Sequence, residues 1–89
     1  MSFEIIFTKI AEKDLLRHKK SGNKKLIRKL DQLLDELEEH PETGTGKPER
    51  LKNNLSGLWS RRINHEHRLV YSIDGEKVIV TVISAFGHY

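Results

Sequence analysis

The sequence contains no cysteine. That excludes a disulfide framework and any thiolate zinc site, and it agrees with a reducing compartment. Proline occurs only twice, at Pro41 and Pro48, and the chain has no linker and no internal repeat. No apolar run approaches the ~18 residues of a membrane helix, and the opening "MSFEIIFTKIAEK" is too short and too charged for a secretory signal. A cytoplasmic protein without membrane association is expected. With 89 residues, 36% hydrophobic and 33% charged, the chain is expected to fold as a single domain over 1–89, with no room for a regulatory module.

Charge is distributed more tellingly than its net +3 implies. Residues 43 to 70 hold Lys47, Arg50, Lys52, Arg61, Arg62 and Arg68 against Glu49 and Glu66, so this segment alone exceeds the whole-chain excess. A second basic cluster runs from Arg17 to Lys29 with no acid inside it, whereas Asp31 to Glu42 is almost purely acidic. Basic blocks of this kind suit a polyanion such as RNA, although solvated surface faces have the same composition.

The opening "SFEIIFT" reads as a strand. From Lys9 to Lys20, Ile10, Ala11, Leu15 and His18 or Leu16 recur at helical spacing and predict a first amphipathic helix. Ser21-Gly22-Asn23 interrupts it, with Gly22 suited to the left-handed position after a helix end. Leu26, Ile27, Leu30, Leu33, Leu34 and Leu37 then form the apolar stripe of a second helix, stopped by Pro41. The short break predicts an antiparallel helix hairpin with Lys19, Lys20, Lys24 and Lys25 at its tip. In the second helix the cations come first and the acids last, opposite to what the macrodipole favours by roughly a few tenths of a kcal/mol per exposed charge. Polyanion contact at the tip is one reason such an order would be kept.

After the loop "ETGTGKPE", the segments "RLKNNLSG", "LWSRRIN", "RLVYSI" and "KVIVTVISAF" read as strands, with Asn64-His65-Glu66 and Asp74-Gly75-Glu76 as turns. Alternation puts Trp59, Arg61 and Ile63 on one face of their strand and Leu58, Ser60 and Arg62 on the other. Arg68, Val70 and Ser72 likewise oppose Leu69, Tyr71 and Ile73. The last strand is rich in Val and Ile and is expected to be central and buried on both sides. The sum is an α+β fold: an N-terminal strand, a two-helix hairpin, then three or four antiparallel strands, with the helices on one face of a twisted sheet.

A zinc site at His65, His67, His88 and Glu66 has the right residue types, but Arg61, Arg62 and Arg68 would repel a cation there. "GTGKPE" lacks the spacing and the following helix of a P-loop, and no serine sits in a strand-turn-helix elbow. What remains is an acid and a base among cations. RNA cleavage through its own 2′-hydroxyl needs a proton acceptor, a cation for the phosphorane charge and a proton donor for the leaving 5′-oxygen. Glu49, Arg68 and His88 are the residue types that suit these tasks, histidine because it titrates near ~6.5.

The stretch "GKPERLKNNLSGLWSRRINHEHRLVY", residues 46 to 71, followed by a terminal "FGHY", resembles the signature of the YoeB toxins, a branch of the RelE superfamily. The resemblance covers the C-terminal half almost without a gap, and the N-terminal half agrees in layout. It implies a RelE-like fold and the toxin of a type II toxin–antitoxin pair, a ribosome-dependent endoribonuclease that cuts mRNA in the ribosomal A site without metal or other cofactor. Carried over by position, Glu49 matches the general base, Arg68 the phosphate-stabilising arginine, His88 the general acid, and Tyr89 a residue that orients the substrate. Lys52, Arg61 and Arg62 are similar to positions that bind RNA. Arg50 stands where a proline can occur, and Gly87 before His88 is expected to loosen the tail. The partners implied are the ribosome and mRNA, a cognate antitoxin of the YefM/Phd type, and a second copy in a homodimer. An acidic antitoxin tail that folds onto the basic groove and covers "FGHY" is the expected means of neutralisation. Trp59 and Tyr71, flanked by strand residues, are expected in the core, not as stacking platforms for bases. Two other classes share these features: a non-catalytic RNA- or ribosome-binding module, and a protein whose basic groove mainly receives an acidic partner.

Overall fold

The structure, a computed structural model, describes residues 2–87. Strand β1 (Glu4–Phe7) leads into helices α1 (Lys9–Ser21) and α2 (Lys24–Glu39), followed by β2 (Glu49–Arg50), β3 (Leu58–Arg62), β4 (Arg68–Asp74) and β5 (Ile79–Ser84). The sheet order is β1-β5-β4-β3-β2. β1 runs parallel to β5, and every other neighbouring pair is antiparallel. This is the expected α+β architecture, with five strands.

Local chemistry sets the helix ends. The Thr8 hydroxyl accepts the Ala11 N–H at 3.1 Å and donates to the Ile83 carbonyl at 2.7 Å, so one group starts α1 and ties it to β5. Gly22 ends α1 with φ 72°, and Asn23 Oδ1 caps α2 by accepting the Leu26 N–H at 3.1 Å. Leu26, Leu30, Leu33 and Leu37 of α2 are buried against Leu69, Tyr71, Val80 and Val82 of the sheet. Both helices therefore cover one face.

Three expectations are corrected. In α1, Ile10 and Leu16 are 62% and 51% exposed, while Ala11, Asp14 and His18 are buried. The polar pair turns inward because it hydrogen-bonds a backbone segment after β5, which outweighs the pull of apolar periodicity. In "RLKNNLSG" no long strand forms: β2 stops at Arg50, and Asn53–Leu55 make a single 3-10 turn with Asn53 at φ 61°. Asn, Ser and Gly give turns there at low cost. Finally, β5 lies between β1 and β4 but is buried on one side only, since Val80 and Val82 are inside while Ile79, Thr81 and Ile83 are half-buried.

Candidate active site

The face of the sheet away from the helices carries Glu49 and Arg68, two of the residues singled out for chemistry. Paired residues of an antiparallel ladder share a face. Glu49 pairs with Ser60, Ser60 with Val70, and Arg62 with Arg68, so Glu49, Arg62 and Arg68 all stand on the open side. The Arg68 Nη1 lies 3.4 Å from Glu49 Oε1, with the arginine side chain 25% and the carboxylate 58% exposed. Beside them Leu51, Leu55, Leu58, Val70, Ile83, Ser84, Phe86 and Gly87 line a hollow of about 320 Å³. An acid and a cation thus meet on the open face of the sheet, whose strands β3 and β4 also supply Leu58 and Val70 to an apolar hollow.

The loop that delivers Glu49 is anchored from the other side of the sheet. Arg61, expected at the RNA surface, is wholly buried on the helix face. Its Nε donates to the Tyr71 hydroxyl at 3.1 Å, its Nη1 meets Glu36 Oε1 at 3.2 Å, and its Nη2 donates to the carbonyls of Thr43, at 2.6 Å, and His40. Tyr71 in turn donates to the Pro41 carbonyl at 2.7 Å, and the Arg62 N–H bonds the Gly46 carbonyl at 2.7 Å. Residues 40–46 are thereby fixed to β3 just before Lys47-Pro48-Glu49. Burial pushes the Glu36 carboxyl up, but hydrogen bonds from Thr45, the Arg61 guanidinium and Gln32 outweigh it and hold the group below its ordinary value. Burial likewise pushes the Tyr71 phenol up against the opposing effect of Arg61.

The other expected residues divide. Arg62 and Lys52 are exposed, and Arg62 is the register partner of Arg68. Trp59 is half-buried against the core, with the Arg50 guanidinium 5.3 Å from its ring centre. His65 and His67 do not form a pair of ligands: the side chains are 87% and 12% exposed, and among the described residues no three metal-binding side chains come together. His88 and Tyr89 lie outside the described residues. The chain that leads to them does not, and Gly87 accepts a hydrogen bond from the Arg68 backbone N–H at 2.9 Å. Gly87 was expected to loosen this tail; both its backbone polar groups are bonded, at φ 73°.

The sequence profile described as "YoeB-like toxin of bacterial type II toxin-antitoxin system" matches residues 7–89. The chain belongs to this family. The YoeB toxin of Synechocystis is 44% identical over 86 residues, which cover 97% of this chain and 96% of that protein. Among solved structures, the YoeB dimer from Staphylococcus aureus is similar with a TM-score of 0.82 at 39% identity, covering 100% of both chains. The YoeB–YefM complex from the same organism gives 0.80 at 40% identity, again over 100% of both chains. The YoeB-type resemblance of "GKPERLKNNLSGLWSRRINHEHRLVY" thus extends to the N-terminal helices. Of the two alternatives at the end of the α1 stripe, His18 is the buried one, and Asp14, four residues before it on the same face, was not singled out from the sequence.

Proposed function

We propose that this YoeB-family toxin is a ribosome-dependent endoribonuclease that cleaves mRNA in the A site and so stops translation. The observation that carries the reading is the meeting of Glu49 and Arg68 at 3.4 Å on the open face of the sheet, beside the backbone that leads to His88. On this reading a substrate phosphate draws the Arg68 guanidinium to itself, because two charge-assisted bonds to phosphate outcompete one long contact to a carboxylate. Glu49 is then left to take the proton of the 2′-hydroxyl. The 2′-oxygen attacks the adjacent phosphorus, Arg68 holds the phosphorane charge, and His88 gives a proton to the leaving 5′-oxygen. The products are a 2′,3′-cyclic phosphate and a free 5′-hydroxyl. Tyr89 orients the substrate, and Lys52 and Arg62 bind its flanking phosphates.

The partners follow from the same surface. An acidic, YefM-like antitoxin segment neutralises the toxin by folding over the basic face, and the toxin acts as a homodimer on cytoplasmic ribosomes. The test is to map mRNA ends on translating ribosomes with wild type, Glu49→Ala, Arg68→Ala and His88→Ala. Each variant is expected to keep its circular dichroism and lose cleavage by about 10²-fold or more. Undiminished cleavage by His88→Ala removes the assignment of the acid. A folded His88→Ala protein that still arrests translation without cutting favours a non-catalytic ribosome binder.

A further inference from the structure

The segment after β5 is gripped from two sides. From α1, Asp14 Oδ2 accepts the Ala85 N–H at 3.0 Å, and His18 Nε2 donates to the Ala85 carbonyl at 2.7 Å. Both side chains are buried, 9% and 2% exposed. From the start of β4, His67 Nδ1 accepts the Gly87 N–H at 2.8 Å, and the next residue, Arg68, bonds the Gly87 carbonyl with its own N–H at 2.9 Å. Phe86 closes the arrangement: its ring centre lies 4.4 Å from that of His67 and 5.2 Å from that of His18, with the Arg17 guanidinium 3.5 Å above it. Four of the backbone polar groups of residues 85 and 87 are therefore held by side chains or backbone whose own positions are fixed by a helix and a strand. Exposed tails are not built this way.

We propose that Asp14, His18 and His67 are positioning residues that clamp the backbone of Ala85-Phe86-Gly87, the residues that lead into His88, against α1 and the start of β4, with His67 acting in its neutral, Nδ1-accepting form. The clamp rests on the reading of His88 as the acid. A histidine that carries protons on both nitrogens has no acceptor to offer, so protonating His67 turns a hydrogen bond to Gly87 into two opposed N–H groups. The groups that face His67 are His18 and Arg17 on α1, the Phe86 ring on the tail, and Glu66 and His65 in its own turn. Burial, followed by His18, Arg17 and His65, holds its pKa below the ordinary value, opposed only by Glu66. The tail is thus locked at neutral pH. It is released as pH falls through a midpoint below ~6.5.

The experiment measures kcat and KM for cleavage on translating ribosomes from pH 5 to 8, together with amide exchange at Gly87 in the free protein. His67→Ala is expected to lower kcat by about 10- to 100-fold with KM within about twofold, the cost of misplacing a catalytic group by roughly 1 Å. His67→Gln keeps an acceptor that does not titrate. It is expected to recover most of the lost kcat and to flatten the His67-dependent loss of rate on the acid side. Asp14→Asn, which still accepts from Ala85, is expected to keep most of the wild-type kcat together with its acid-side loss of rate, and Asp14→Ala to lie close to His67→Ala in kcat at neutral pH. Protection of the Gly87 amide, its exchange rate relative to the intrinsic rate at the same pH, is expected to be high in wild type at pH 8, lower at pH 5, and low at both in His67→Ala. Wild-type kcat in His67→Ala, or Gly87 exchange unchanged by that substitution, overturns the clamp. Full cleavage by His88→Ala instead overturns the assignment of the acid, and Gly87 exchange still decides the clamp in that case.

Discussion

Arg61 and Arg62 are adjacent, identical and differently employed. Strand alternation separates their faces from sequence alone, but it does not say which face is which. Nor does it reveal that the inward guanidinium meets Glu36, Tyr71 and three loop carbonyls, those of His40, Thr43 and Thr45. Those partners come from a helix, a strand and an irregular loop, and no local pattern links them. Removing the cation strands buried acceptors, so Arg61→Ala is expected to cost about 3 kcal/mol or more, against about 0.5 kcal/mol or less for the exposed Arg62→Ala. Urea denaturation compares them, and equal midpoints would dismiss the anchoring role. Glu36 adds a pH dependence. Its pKa is depressed in the fold, so its contribution is fully present above ~4.5 and fades as pH falls through the lower folded value; Glu36→Gln is expected to remove that acid-side slope.

The two helices show where periodicity is a reliable guide. In α2 a single leucine stripe has no competitor, and all four of its deepest positions, Leu26, Leu30, Leu33 and Leu37, were readable. In α1 two groups of residues compete for the inside, and the apolar Ile10 and Leu16 lose to Asp14 and His18. Long-range hydrogen bonds to Ala85 decide the outcome, and they leave no local trace in sequence. Leu33→Ala is accordingly expected to cost about 2–5 kcal/mol, whereas Leu16→Ser on its outward face is expected to change monomer stability by about 0.5 kcal/mol or less. Thermal unfolding of the two variants distinguishes the inward from the outward stripe. The candidate site divides in the same way: Glu49 and Arg68 could be assigned to it from their motif, whereas the hold of α1 on Ala85 belongs to no motif.

Across the whole molecule the sheet separates a side covered by the helices from an open side. The helices, their leucines and Arg61 occupy one; Glu49, Arg62, Arg68 and the hollow bounded by Val70 and Phe86 occupy the other. A second basic region lies apart from both, at the hinge between α1 and α2, where Lys19, Lys20, Lys24 and Lys25 are all exposed. If that tip meets the ribosomal polyanion, exchanging the four lysines for glutamate weakens binding, and more so at low salt than at high. Affinity for ribosomes that is unchanged at low ionic strength would leave the tip without such a role. No helix among the described residues is long and apolar enough to cross a membrane.

The strand order has a consequence for how the protein comes into being. β1, made before the helices and the other strands, finds its partner in β5, with Glu4 beside Ile79. A parallel pairing across so long a stretch of chain closes slowly, because the loop entropy is lost before the contacts form. During synthesis β1 must wait while the helices and the β3–β4 hairpin emerge, and the tail that α1 holds comes later still. The hollow bounded by Val70, Ile83 and Phe86 therefore forms only after the helices and the β3–β4 hairpin are in place, so the open face is the last part of the sheet to be finished.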